Sequence, residues 1–166
     1  LGSREASVLL ILKNLLFTVL VPGTVAVYVP LFLFSHAMPR IRLASIVAAF
    51  LLLVGAAMYL RCLWDFATFG RGTPAPIDPP KQLVIRGLYQ YSRNPMYVGV
   101  LTVIVGWALL FASVSLVLYA VVVAACFHLF VRLYEEPHLK QVFGASYEQY
   151  CAQVSRWLSF HKSAAP

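Results

Sequence analysis

The sequence predicts an all-α integral membrane protein with about four transmembrane helices, a long cytoplasmic loop and a C-terminal amphipathic helix, and three observations predict it. Hydrophobic residues make up 61% of the chain and charged residues 11%, against roughly 45–50% and about 25% in soluble domains. The apolar residues gather into four stretches. The Lys and Arg residues keep to particular connections between those stretches. At 166 residues the chain is one domain, 1–166, most of whose apolar surface faces lipid or other spans.

The first span covers about residues 8–34 and the second about 43–63. The third and fourth cover about 97–111 and 115–131. A span takes about 20 apolar residues, with a range of roughly 17–25. The third is short and the fourth follows at once, so Ala112 to Ser115 reads as a tight interhelical turn. Pro22-Gly23 kinks the first span rather than ending it. A signal peptide is the rival reading of that stretch, disfavoured by the length of the apolar run and the lack of a small-residue cleavage site.

Orientation follows from the basic residues. Arg40 and Arg42 lie between the first two spans, and the third-to-fourth turn carries no charge. Apart from Lys13 and Arg61, near the ends of the first two spans, the remaining Lys and Arg lie in the N-terminal segment, the loop after the second span, and the C-terminal segment. The positive-inside rule puts both termini and the long loop in the cytoplasm, in an inner or plasma membrane. Topology and contact with anionic lipid account for the net charge of +7 without nucleic acid.

Between Phe69 and Tyr91 the chain stops being apolar. Gly70, Gly72, Pro74, Pro76, Pro79 and Pro80 forbid a regular helix. A flexible linker is one reading; a shaped loop is the other, favoured by the anchoring groups Leu83, Val84, Ile85, Leu88 and Tyr89. After the fourth span, Glu136-Pro137 reads as a helix start. Leu139, Val142, Phe143, Tyr147 and Tyr150 then share one face at helical spacing, with Gly144 allowing close packing.

Several chemistries find no support. Cys62, Cys126 and Cys151 are scattered, and His36, His128, His138 and His161 have no ligand spacing, so no metal site is expected. There is no Gly-x-Ser-x-Gly elbow and no Gly-x-Gly-x-x-Gly. His128, one turn before Arg132, lies either in a polar pocket or at the membrane interface.

What remains is charged chemistry at both mouths of one apolar hairpin, Arg93 to Tyr97 before it and Glu135-Glu136 after it. Carboxylates beside a bilayer are costly unless solvated, paired or used. Gly87-Leu-Tyr-x-Tyr-x-Arg-Asn-Pro-Met-Tyr-x-Gly99, the hairpin, Glu135-Glu136, and Phe143-Gly144-x-x-Tyr147-x-x-Tyr150 resemble the isoprenylcysteine carboxyl methyltransferase family. The related phospholipid methyltransferases share the plan. The resemblance covers about half the chain, roughly Lys81 to Trp157. It departs from the eukaryotic pattern at Asn94, where His is usual, and at Ser155 and Ser159, where prolines are usual.

The resemblance implies an S-adenosylmethionine pocket at the cytoplasmic face, built from residues 69–97 and 132–157. Lys81, Gln82, Leu83 and Val84 would clamp the cofactor through backbone, and Tyr89 would flank the adenosine. Asn94, Pro95, Met96 and Tyr97 would form the floor, and Glu135 would meet the cofactor's ammonium or ribose. By their chemistry, tyrosine faces suit a sulfonium. Arg93 or Arg132 suits a methionine carboxylate or an acidic substrate. Arg132 and Glu136 are the catalytic candidates, Glu136 as base where the acceptor is an amine.

The resemblance implies a lipophilic or lipid acceptor, open between prenylcysteine, phospholipid amine and small thiol. Two other classes stay open: an NADPH-dependent sterol or steroid reductase, which has a similar Arg-x-Pro-x-Tyr segment, and a non-enzymatic membrane scaffold.

Overall fold

Hydrophobic blocks of this length fold as helices because lipid offers backbone groups no other partner. A computed structural model describes residues 3–33, 43–70 and 81–158, and every regular element in them is helical. Arg40, Arg42 and most of the Gly- and Pro-rich loop, 71–80, lie outside the described residues.

Helix α1 (Ser3–Leu20) does not end at Pro22. Val21 N–H donates to Phe17 O at 2.9 Å and Val25 N–H to Val21 O at 3.1 Å. A π-helical turn, Thr24–Tyr28, then leads into α2 (Val29–Leu33). Pro30 supplies a reason for the irregularity. It has no N–H, so the carbonyls of Val25 and Ala26 lose the helical donor that position would give. Trp107 Nε1 donates to Ala26 O and Tyr119 Oη to Val25 O, each at 2.9 Å. The defect in the first span thereby ties it to two later helices.

Helix α3 (Leu43–Asp65) ends in a second π-helical turn, Phe66–Gly70. Its main partner is α4 (Pro95–Leu110). Glycine sets how close they come: a Cβ on Gly55 would fall 2.6 Å from Gly99 O and 2.9 Å from Val103 N. The two backbones touch, as small residues permit between membrane helices.

The turn after α4 comes slightly earlier than the sequence suggests. Ala112 takes φ +47°, and Ser113 caps α5 (Val114–Phe130), its Oγ accepting from Leu116 N–H at 3.3 Å.

The C-terminal part corrects three expectations. Glu136-Pro137 does not open a separate helix: α5 runs through a π-helical turn, Val131–Glu135, straight into α6 (Glu136–Phe143). Glu136 N–H bonds Val131 O, a widened register that precedes the missing N–H of Pro137. The amphipathic helix is also two helices, because Gly144 (φ +53°, ψ −129°) separates α6 from α7 (Ala145–Gln153). A Cβ there would meet nothing within 4 Å, so the glycine serves backbone conformation rather than close packing. Finally, Val142 is exposed, while Leu139, Phe143, Tyr147 and Tyr150 pack together.

Among the described residues three helical runs are long and apolar enough to cross a membrane: Leu9–Leu33, Ala44–Gly70 and Val114–Phe143. Helix α4, at 16 residues, falls short of the usual span length. Phe50, Leu53, Val114 and Leu133 are exposed on these runs, as lipid-facing side chains are.

Candidate active site

The start of α4 organises the site. Pro95 occupies the first turn, where its missing N–H costs nothing. Asn94 precedes it, yet its side chain does not cap the helix. Asn94 Nδ2 instead donates to Arg156 O at 2.9 Å, and Asn94 N–H donates to Ser92 Oγ at 3.0 Å. Arg93 N–H donates to Ser155 O at 3.0 Å. The segment after α7 is thus laced onto residues 92–94, and Trp157 Nε1 reaches His128 Nδ1 at 3.2 Å. Tyr150 Oη donates to Tyr89 O at 2.7 Å, pinning the 3-10 turn Gly87–Gln90.

Charge concentrates above this lacing. Arg156 grips Glu136 with two parallel bonds of 2.8 Å, Nε to Oε1 and Nη2 to Oε2. Arg93 Nη1 lies 3.1 Å from the same Oε1 and also reaches Cys151 Sγ. One carboxylate therefore serves two guanidinium groups, leaving the cluster positive. The bond to Glu136 raises the Arg156 pKa further. Arg93 Nε is buried with no partner among the described residues. Glu135 is engaged separately: Tyr97 Oη donates to its Oε2 at 2.9 Å. The Tyr97 ring also rests on Phe127, centroids 4.6 Å apart.

Of these groups Arg93, Tyr97, Phe127, Glu135 and Glu136 line a cavity of about 470 Å³, within the size range of small-molecule and cofactor sites. Its polar lining includes Arg93, Asn94, Glu135, Glu136 and His138; its apolar lining includes Phe17, Val21, Val25, Val100 and Phe127. Tyr89, Tyr147 and Tyr150 complete the wall, and burial pushes all three hydroxyls up from their ordinary pKa. They stay protonated, able to donate hydrogen bonds and present ring faces.

Of the residues singled out from sequence, Leu83, Val84, Tyr89, Arg93, Asn94, Met96, Tyr97, Glu135 and Glu136 line this cavity. Pro95 is buried in the first turn of α4 without reaching the wall. Lys81, Gln82 and Arg132 are exposed and off the wall. Lys81 anchors its segment through backbone, its N–H donating to Gly70 O at 2.8 Å.

Sequence reasoning missed Arg156, His138, Tyr134 and the α1 residues. His138 had a usable signal, since it follows Glu135 by three residues and so shares its helical face. Arg156 had none beyond being basic.

The phospholipid methyltransferase family matches residues 43–146. Protein-S-isoprenylcysteine O-methyltransferase B of Arabidopsis thaliana is 38% identical over 80 residues, covering 48% of this chain and 40% of that protein. The chain therefore matches less than half the length of that relative. No solved structure matches.

Proposed function

The chain belongs to the phospholipid methyltransferase family, and on that premise we propose that it transfers a methyl group from S-adenosylmethionine to a lipid-like acceptor at the cytoplasmic membrane face. One observation carries this reading: a single cavity is lined both by the charged Arg93 and Glu135 and by the apolar Phe17, Val21, Val25, Val100 and Phe127. A zwitterionic cofactor and a greasy acceptor need those two environments side by side.

The residues present fit such a cofactor. The buried Nε of Arg93, unpartnered among the described residues, is a donor suited to an anionic group, and the cluster's excess positive charge favours a carboxylate. Glu135 offers an acceptor to an ammonium or ribose hydroxyl. Tyr89, Tyr147 and Tyr150 present faces to a cation, worth about 0.5–2 kcal/mol. When bound, the cofactor supplies an activated methyl on sulfur. The protein's own share is alignment in a dry pocket. We assign Glu136 to orienting Arg93 and Arg156, the substrate side to the apolar wall, and Arg132 to the exposed face of the helix.

The reading includes topology. Helix α4 is proposed to cross as a fourth span, tucked between α3 and α5, with both termini cytoplasmic in an inner or plasma membrane. The acceptor is a prenylcysteine-like carboxylate, a phospholipid amine or a thiol.

Purified protein in detergent should be stabilised against heat by S-adenosylmethionine and by S-adenosylhomocysteine, through mass action. Stabilisation by NADPH and not by either of these would overturn the methyltransferase reading in favour of a reductase.

A further inference from the structure

An acceptor that arrives carrying a proton on its nucleophile needs somewhere to put it, and the cavity wall offers few places. Glu136 is held by Arg156 and Arg93. Glu135 accepts from Tyr97 Oη and is the group proposed above to meet the cofactor. Tyr89, Tyr147 and Tyr150 stay protonated because burial disfavours their charged forms. Asn94 has no proton-accepting nitrogen.

His138 is different. It lines the same cavity, is half-buried, and makes only a ring contact, with Tyr134 stacked at 6.1 Å, among the described residues. Imidazole is the side chain suited to accept and release a proton near neutral pH. The charged and titratable groups sharing its wall are Tyr134, Glu135 and Glu136 on its own helical run, Arg93 and Tyr97 from α4 and its approach, Tyr59 from α3, Tyr89, and Tyr147 and Tyr150 from α7.

We propose that His138 is the proton acceptor for the methyl acceptor, which is then an amine or a thiol rather than a carboxylate. The inference rests on the methyltransferase reading. His138 takes the proton from the ammonium or thiol. The lone pair so freed forms the new bond to the methyl carbon, while the electron pair of the broken carbon–sulfur bond stays on the departing thioether. The proton on the imidazolium then passes to water. A carboxylate would arrive without a proton and would leave His138 with no task.

Two probes with the same tail, dodecylamine and dodecanoate, separate these cases in the full chain in lipid nanodiscs. With S-adenosylhomocysteine bound, dodecylamine should move the imidazole Cε1–H resonance of His138, identified by its loss in His138→Gln. Methyl transfer from S-adenosylmethionine to dodecylamine should fall about hundredfold or more in that variant. The Kd for S-adenosylhomocysteine should stay unchanged. Added imidazole should restore part of the rate in His138→Ala. A resonance unmoved by saturating dodecylamine overturns the proposal, and so does a wild-type rate in His138→Gln. An equal loss on dodecanoate does the same. Failure of the wild-type protein to bind S-adenosylhomocysteine would strike the cofactor reading instead, which keeps the two failures apart.

Discussion

The adjacent carboxylates Glu135 and Glu136 have different partners, so charge-removing substitutions at them should have different consequences. Among the described residues Glu135 makes one side-chain hydrogen bond, accepting from Tyr97 Oη at 2.9 Å. A glutamine there still offers an amide oxygen to that hydroxyl, so Glu135→Gln should lower thermal stability less than Glu136→Gln does. What it removes is a negative charge facing the cavity. Losing one charge-assisted bond to a bound ligand costs about 1.5–3 kcal/mol, or roughly ten- to a hundredfold in affinity.

Glu136 is the opposite case. Its two oxygens take two 2.8 Å bonds from Arg156, and Arg93 lies 3.1 Å away. The three side chains are 31%, 12% and 17% exposed for Arg156, Arg93 and Glu136. Glu136→Gln leaves two partly buried guanidinium groups without their shared counter-charge. Breaking a fully buried pair costs about 3–5 kcal/mol, and the partial exposure here brings the expectation down to about 1–3 kcal/mol. Thermal unfolding in detergent measures that loss; calorimetric titration with S-adenosylhomocysteine measures affinity. Equal affinity in Glu135→Gln and wild type would place the ligand elsewhere, and wild-type stability in Glu136→Gln would show that the arginine clamp does not hold the C-terminal segment.

Gly55→Ala should destabilise the helix pair by about 1–3 kcal/mol in thermal unfolding, because its Cβ would meet Gly99 O at 2.6 Å and backbone cannot rotate aside. Trp107→Phe and Tyr119→Phe each strip a donor from a carbonyl near Pro30 and should each cost about 0.6–2 kcal/mol, read as lowered resistance to unfolding. Single cysteines at Ser3 and Ser113 in a cysteine-free background should label from opposite sides of the membrane; labelling of Ser3 from outside intact cells would reverse the proposed orientation.

Much of the site was legible because its residues sit at the ends of one apolar hairpin, where a short sequence pattern fixes three-dimensional neighbours. Arg93 to Tyr97 and Glu135-Glu136 are separated in sequence by that hairpin, and its tight turn makes their meeting a matter of helix length. The Tyr97–Glu135 bond is one product of that arithmetic. Helical content was legible for the same reason: long apolar blocks have few ways to satisfy their backbone in lipid. The positions that escaped sequence reasoning depend on packing that periodicity does not encode. Val142 has the spacing of its packed neighbours, but the widened turn before Pro137 and the break at Gly144 alter which residues share a face. Arg156 enters the site only because the chain after α7 folds back over Ser92 and Asn94, an approach made by backbone carbonyls that any residue carries. Pro30 is the clearest instance of a local signal with a distant answer. Its missing N–H is written in the sequence, whereas the donors near it come from Trp107 and Tyr119, on helices whose placement only the folded bundle defines.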